Sequence, residues 1–202
     1  MEALKAKAII FLKSLLSDSL YDWEGIACDP NGDLLLLSET YADISKVSKS
    51  GVVTWLNTGL LKTGKQHGLF QINNAYAEGI VSLEERNFIV AAERQPRGLA
   101  TLLKRDNAWK TMIYPTKTSP ILPKEGRSSD FSDLTLHNGM LYSLERNASA
   151  VCARNIDDLK SVQCWSYAQI EESNDFRYRD NTYGLGEGIA LTDKYLYYCA
   201  RQ

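Results

Sequence analysis

Four segments of the chain resemble one another at a nearly constant spacing, and this internal repeat constrains the fold more than any other feature. Each segment begins with an acidic residue, followed by two short apolar runs with turn residues between them. The leading acids lie 54, 55 and 54 residues apart, at Glu24, Glu78, Asp133 and Glu187. A period of this length is typical of a β-propeller, in which every repeat builds one four-stranded blade.

Each repeat reads as a hairpin followed by two further strands. Two of the hairpin turns contain Asn-Gly, at Asn31-Gly32 and Asn138-Gly139, which favours tight turns with positive φ. The apolar runs are short and rich in Leu, Val, Ile and Tyr, as strands are. Third strands are predicted at 44–48, 99–104 and 150–154, and fourth strands at 52–56, 109–114 and 162–167. The sequence therefore predicts an all-β fold, a single β-propeller domain over residues 1–202.

The fourth repeat ends after two strands, which leaves an open sheet edge. A propeller must protect such an edge, and residues 6–15 are predicted to complete the last blade as an N-terminal strand in the outermost position. An amphipathic helix is the alternative for this segment. With the strand in place, the last blade lacks its third strand, so that blade is incomplete or about ten residues are absent from this chain.

Charge and hydropathy exclude several classes of function. The formal net charge is −2 at pH 7, so we expect no basic surface for a nucleic-acid backbone. No run of about 18 apolar residues occurs, and no membrane span is predicted. The N-terminal apolar run is interrupted by Lys13 and lacks a small-residue cleavage site, so it is not a clear signal peptide.

The repeat brings carboxylates together at one mouth of the propeller. Two residues of a hairpin face each other when their numbers are symmetric about the turn. By this rule an acid faces an acid three times and an alanine once, at Glu24–Glu39, Glu78–Glu93, Asp133–Glu145 and Glu187–Ala200. Like charges that face each other destabilise a sheet, so these acids need arginine partners or a hard cation such as calcium.

Most of the arginines are predicted to lie at the same mouth or in the loops that cross it. Three of them follow the second strand at equivalent positions, namely Arg94, Arg146 and Arg201. The full set comprises seven of the ten arginines: Arg94, Arg97, Arg127, Arg146, Arg177, Arg179 and Arg201. A rim of guanidinium groups suits a small anionic ligand, because each can bind phosphate or carboxylate in bidentate fashion. The alternative is a structural ring of Glu-Arg pairs that lock neighbouring blades together.

Other chemical motifs are sparse. The sequence has no GxSxG, GxGxxG or P-loop motif. His67 lies in a connection on the acidic side and is the candidate general base, whereas His137 is expected in a turn at the opposite mouth. Cys152 and Cys164 fall nearly opposite each other on adjacent strands, where they form a disulfide or remain buried thiols.

The segments DWEGIA, YAEGIV and LGEGIA, with a glutamate ending the next strand, resemble the repeats of phytase-like esterases and SdiA-regulated proteins. Gluconolactonase and paraoxonase propellers have a similar Glu-Gly start and bind calcium in the central channel. The resemblance implies a propeller, a calcium site and hydrolysis of an ester, lactone or phosphoester, and it is compatible with a periplasmic or secreted protein. Asp133-Leu134 departs from the Glu-Gly pattern, and Ala200 departs from the second acid.

Two functional hypotheses follow. The first is a calcium-dependent hydrolase of an anionic ester, lactone or phosphoester. Its candidate catalytic residues are Glu24, Glu78, Glu93 and His67, and its candidate metal ligands are Glu24, Glu78 and Glu187. Its candidate substrate-binding residues are Arg94, Arg97, Arg146 and Arg201. The second hypothesis is a non-catalytic propeller that binds a ligand or protein and uses the Glu-Arg ring for structure alone.

Overall fold

Each of the four repeats forms its own antiparallel sheet in the computed structural model, which describes residues 21–116, 119–175 and 186–200. Blade 1 contains β1 (Trp23–Cys28), β2 (Leu34–Ser38), β3 (Asp43–Val47) and β4 (Val53–Trp55). Blade 2 contains β5 (Ala77–Glu84), β6 (Asn87–Ala92), β7 (Gly98–Arg105) and β8 (Ala108–Pro115). Blade 3 contains β9 (Asp133–His137), β10 (Met140–Glu145), β11 (Ala150–Asn155) and β12 (Ser161–Ser166). Blade 4 contains β13 (Gly186–Leu191) and β14 (Leu196–Ala200).

Three short helical segments supplement the strands. Helix α1 (Leu60–Gln66) lies in the connection between blades 1 and 2, and helix α2 (Ala168–Glu171) follows β12. A single 3-10 turn (Arg146–Ala148) links β10 to β11. None of the helices in the described part of the chain is long and apolar enough to cross a membrane.

The propeller prediction is confirmed, and the predicted third and fourth strands agree with the observed ones to within one residue at each end. Every complete sheet is a simple meander, in which the first strand is the innermost and the fourth the outermost. The predicted N-terminal strand at 6–15 lies outside the described residues.

The inner strands of successive blades lie side by side, β1 beside β5, β5 beside β9 and β9 beside β13. The glycine after the leading acid makes this close approach feasible. A Cβ at Gly25 would lie 2.7 Å from the carbonyl oxygen of Glu78, and one at Gly79 would lie 2.7 Å from the backbone nitrogen of Leu134. Both distances are shorter than real Cβ contacts, so the Glu-Gly pair is a packing requirement of the inner strands.

Apolar residues between neighbouring blades form the core. One cluster joins blades 1 and 2 through Leu37, Ile44 and Phe88. A second cluster joins blades 2 and 3 around Phe131, and a third joins blades 3 and 4 around Leu144. Burial of these faces is the main driving force that holds successive blades together.

The cysteines divide into two classes. Cys152 and Cys164 face each other across β11 and β12 and form a disulfide, which settles the alternative left open by the sequence. Cys28 and Cys199 are free thiols with exposed side chains.

Candidate functional site

The leading glutamates lie in β-bulges at the start of the inner strands. The register shifts between Trp23 and Gly25, between Ala77 and Ile80, and between Gly186 and Gly188, so Glu24, Glu78 and Glu187 each fall in the irregular part. The prediction that these acids directly face the acids of the second strand is therefore wrong. The predicted pair Asp133–Glu145 is wrong as well, because the register of β9 and β10 places Asp133 opposite Leu144. Symmetric pairing assumes one residue opposite one, whereas a bulge sets two against one and re-aims a side chain.

The acids still converge, in two overlapping groups. Oxygen atoms of Asp22, Glu24 and Glu39 lie within 4.8 Å of one another. Oxygen atoms of Glu39, Glu78 and Glu93 do the same, and these three side chains are buried. We call this set of five residues the acid cluster. Because Glu39 belongs to both groups, the cluster is continuous from blade 1 to blade 2.

Arg146 is the principal counter-charge of the acids and contacts carboxylates from several parts of the fold. Its Nη2 lies 2.8 Å from Glu93 and 3.4 Å from Glu78, and its Nε lies 3.2 Å from Asp130. Its Nη1 donates to both oxygens of Glu187 at 3.1 Å. These contacts raise the pKa of Arg146 against the opposing effect of burial. The guanidinium group is therefore committed to protein carboxylates.

Glu93 is only partly satisfied by its two arginine neighbours. Its Oε1 forms ion pairs with Arg94 and Arg146. Its Oε2 has no hydrogen-bond partner among the described residues, and it is buried, because Glu93 is only 1% exposed. A buried carboxylate oxygen without a partner is costly, and it indicates a missing partner at this point.

Burial and mutual repulsion raise the pKa values of the acid cluster. Burial, followed by Asp22, Glu39 and Glu187, raises the pKa of Glu24 to about 7. Burial raises the pKa of Glu78 to about 8, although Arg146 opposes the shift. Burial also raises the pKa of Glu39, against the effect of a hydrogen bond from the backbone nitrogen of Tyr76. Because repulsion between neighbouring acids contributes to these shifts, a positive charge placed among them would favour their ionised forms.

Glu145 lies at the end of the second strand of blade 3, as Glu39 and Glu93 do in blades 1 and 2. It lies in a separate network, in which both of its carboxylate oxygens have partners. It is fully buried and forms ion pairs with Arg97 and Arg154, each at 2.8 Å, and it also accepts a hydrogen bond from Ser119. The predictions that Glu93 and Glu145 each bind an arginine are confirmed. The expectation that Arg97 lies on the rim is wrong, since it is 2% exposed and packs over the ring of Phe131.

Asp133, the leading acid of the third repeat, holds two blades together. Its Oδ2 accepts a hydrogen bond from the backbone nitrogen of Ile189 at 2.8 Å, and its Oδ1 accepts one from the backbone nitrogen of Leu134. Burial raises its pKa to about 7, whereas these two hydrogen bonds lower it. Asp133 also lines a cavity of about 570 Å³ that the inner strands surround. Asp133, which replaces the glutamate of the Glu-Gly pattern in this repeat, thus has a structural role.

The remaining predicted residues are placed as follows. His67 is exposed directly after α1, and its Nδ1 lies 2.9 Å from the carbonyl oxygen of Thr63. No contact among the described residues joins His67 to the acid cluster, and its role as a base stays a prediction. Arg201, Arg177 and Arg179 lie outside the described residues.

Sequence reasoning missed two acids of the mouth. Asp22 precedes β1 and completes the first carboxylate group, and its position in Asp-Trp-Glu-Gly was a usable signal. Asp130 precedes β9, is fully buried, and accepts hydrogen bonds from Arg146 and from the backbone nitrogen of Asn147. It has no equivalent in the repeat, so the period could not reveal it.

No protein-family model matches the sequence, and no curated protein does. Solved structures do match. Glutaminyl cyclase from Myxococcus xanthus has a TM-score of 0.54 and 12% identity, over 90% of this chain and 62% of that one. The PQQ-bound aldose sugar dehydrogenase from Streptomyces coelicolor has a TM-score of 0.53 and 17% identity, over 89% of this chain and 56% of that one.

A protein from Lactobacillus plantarum is similar to the same degree, with a TM-score of 0.51 and 16% identity, over 85% of this chain and 45% of that one. This chain therefore spans less than two thirds of the length of each of these structures. At such identities the similarity concerns the fold alone. The chain is a β-propeller with an acid-rich mouth, and its fold occurs in proteins that include enzymes.

Proposed function

We propose that the acid cluster binds calcium and that the protein is a calcium-dependent hydrolase of an anionic ester, lactone or phosphoester. The observation that supports this most is the surplus of carboxylate at one point. Two sets of three acids, each with oxygen atoms within 4.8 Å of one another, share Glu39, and one buried oxygen of Glu93 has no partner among the described residues. A divalent cation would supply both the missing partner and the missing positive charge.

The donor set fits a hard cation. Every candidate ligand is a carboxylate oxygen, and calcium takes six to eight oxygen ligands, whereas zinc prefers nitrogen and sulfur. The ligands we propose are Glu24, Glu39 and Glu78, with Asp22 and Glu93 at the two ends of the cluster. Glu187 belongs to neither carboxylate group among the described residues and is bound by Arg146, so its role as a ligand stays a prediction.

The chain's own residues would organise the reaction in three ways. Arg146 and Arg94 partly neutralise Glu93, which keeps buried carboxylates close together. The backbone nitrogen of Tyr76 fixes Glu39 through a 2.9 Å hydrogen bond. Glu24 is the most exposed member of the acid cluster, so a substrate at the proposed cation site would approach it from the solvent side. When bound, the cation would polarise a substrate oxygen and lower the pKa of a water molecule. The resemblance to phytase-like esterases supports this class of reaction.

The test is a calcium titration by calorimetry, combined with assays on p-nitrophenyl phosphate and p-nitrophenyl acetate. We expect calcium to bind the wild-type protein and to be required for hydrolysis of at least one of these esters. Glu39→Gln should weaken calcium binding at least tenfold, because Glu39 belongs to both sets of neighbouring acids and its charge is lost from each. The matched control is Glu85→Gln, an exposed glutamate in the turn at the opposite mouth. Absence of calcium binding to the wild-type protein would refute the proposal.

The alternative is a propeller that binds a ligand or protein without catalysis. It is favoured by Arg146, whose contacts to four carboxylates make a structural Glu-Arg ring. In this case calcium would neither bind nor stabilise the protein, and Arg146→Gln would unfold it or lower its stability strongly. If calcium binds but no ester is hydrolysed, the cation site is retained and the hydrolase assignment is abandoned.

A further inference from the structure

A second, smaller cavity opens beside the acid cluster, between the end of β2 and the segment that leads into β5. It has a volume of about 270 Å³ and is lined by Glu39, Thr40, Asn73, Asn74 and Tyr76. All five side chains carry polar groups. Because Glu39 belongs to both carboxylate groups, this cavity adjoins the proposed calcium site.

The hydrogen bonds around Tyr76 determine how the amide of Asn73 is oriented. Lys65 Nζ lies 3.1 Å from the Tyr76 hydroxyl, and a lysine ammonium can only donate. The hydroxyl therefore accepts from Lys65 and gives its single hydrogen to Asn73, whose Oδ1 lies 2.7 Å away. Since Oδ1 is the acceptor, the Nδ2 group of Asn73 points away from Tyr76, and no described residue accepts its hydrogens.

Tyr76 also connects this amide to the acid cluster. Its backbone nitrogen donates to Glu39, while its hydroxyl holds Asn73. The tyrosine is 8% exposed, and Lys65 Nζ lies 4.9 Å from the centre of its ring. One buried residue thus sets the positions of a proposed calcium ligand and of a neighbouring hydrogen-bond donor.

The arginines predicted to bind an anion are already engaged within the described residues. Arg97 is buried against Glu145, and Arg146 contacts four carboxylates. An anionic substrate held at the calcium site would need other donors for its remaining oxygens. The amide of Asn73 and the positive charge of Lys65 provide a donor and a favourable field on the same side of the mouth.

We propose that Asn73 binds the substrate, with its Nδ2 donating to a phosphoryl or carboxylate oxygen in the cavity beside Glu39, and that Tyr76 is the positioning residue for this amide. The inference rests on the proposed function, because it assigns the substrate's anionic oxygens to the cavity next to the calcium site. It deepens that function by replacing the arginine rim with an amide donor.

The experiment titrates inorganic phosphate and, separately, acetate into the full chain with saturating calcium and again with EDTA. Asn73→Ala should weaken binding of the anion at least tenfold, which corresponds to about 1.4 kcal/mol. Tyr76→Phe should give a smaller loss, because the amide remains but is no longer oriented. Both variants should keep the wild-type calcium affinity, and Asn73→Ala should also keep the wild-type melting temperature. The control is Asn31→Ala, an exposed asparagine in the turn at the opposite mouth, which should change none of these quantities.

Each outcome decides between the two ideas. Anion binding that is independent of Asn73, or wild-type protein that binds neither anion, would overturn the inference even if calcium binds. Anion binding that depends on Asn73 but is indifferent to EDTA would support the inference and refute the calcium site. A Tyr76→Phe variant that binds the anion as tightly as the wild-type protein would show that Tyr76 does not position the amide.

Discussion

Glu93 and Glu145 occupy the same position in two successive repeats, yet their surroundings differ. Glu145 is buried between Arg97 and Arg154, and a hydroxyl of Ser119 completes its contacts. Glu93 is equally buried, but one of its oxygens has no partner in the described part of the chain, and its neighbours include further carboxylates. The comparison shows that the same repeat position has a complete set of partners in one blade and an incomplete set among the described residues in another.

The largest loss of stability is expected when the network of Glu145, Arg97 and Arg154 is broken. Glu145→Gln would leave the guanidinium groups of Arg97 and Arg154 buried without a carboxylate. Removal of one partner from such a buried pair costs about 3–5 kcal/mol, so we expect a loss of that size in the free energy of unfolding. Urea denaturation of the variant measures it. A loss below about 1 kcal/mol would mean that water reaches this network.

Calcium should stabilise the protein through the acid cluster. At a concentration one hundred times Kd, a bound ligand adds about 2.7 kcal/mol to the free energy of unfolding. Thermal unfolding with millimolar calcium against EDTA measures this at pH 8 and at pH 5. We expect a larger shift at pH 8, because protons compete with the cation at lower pH.

The sign of the pH effect without calcium follows from the raised pKa values. Folded Glu24 and Glu78 keep their protons up to about pH 7 and pH 8, whereas the unfolded chain loses them near pH 4.5. The folded state therefore binds more protons between these limits, so stability in EDTA should fall as the pH rises from about 4.5 to 8. Stability in EDTA that rises over this range would contradict the raised pKa values.

Glu93→Gln should have a smaller effect than Glu145→Gln. The variant loses two arginine contacts, but Arg146 retains three other carboxylates and repulsion with Glu39 and Glu78 is relieved. We expect a loss of about 1–2 kcal/mol in EDTA. In calcium the loss should be larger, because the variant also gives up a proposed ligand. Equal losses under both conditions would remove Glu93 from the ligand set.

Arg94→Gln is expected to have the smallest effect. Its side chain is 34% exposed and, among the described residues, forms an ion pair with Glu93 alone, so the cost should stay below about 1 kcal/mol. Removal of this positive charge should tighten calcium binding, which calorimetry measures. Weaker calcium binding in this variant would indicate that Arg94 positions Glu93 for the cation.

The fold was largely predictable because its signal is repeated. Four leading acids at a constant period, each followed by turn residues between apolar runs, place the blades and most strands to within one residue. The convergence of carboxylates was predictable for the same reason. The bulges at Glu24 and Glu78 were not, because they depend on how neighbouring inner strands pack and leave no mark in the hairpin symmetry.

Whether an individual arginine is buried or exposed could not be predicted from the sequence either. Arg94 and Arg97 both lie in the connection between β6 and β7, but only the packing of Phe131 and Glu145 shows that Arg97 is internal. Arg154 is different, because it directly follows the apolar residues at the start of β11 (Ala150–Asn155), and this position is a usable sign that its side chain is buried. Charge position along a repeat predicts which mouth a residue approaches, whereas burial depends on contacts between blades.

The reach of Arg146 has a consequence for the dynamics of the fold. The side chain comes from blade 3, and its partners include Glu78 of blade 2 and Glu187 of blade 4. Opening of blade 3 would remove the positive charge next to Glu78 and Glu187, and opening of blade 2 or blade 4 would remove one carboxylate from Arg146. Local fluctuations of the three blades are therefore coupled. The slowest amide hydrogens of blades 2, 3 and 4 should therefore exchange with solvent as one cooperative unit.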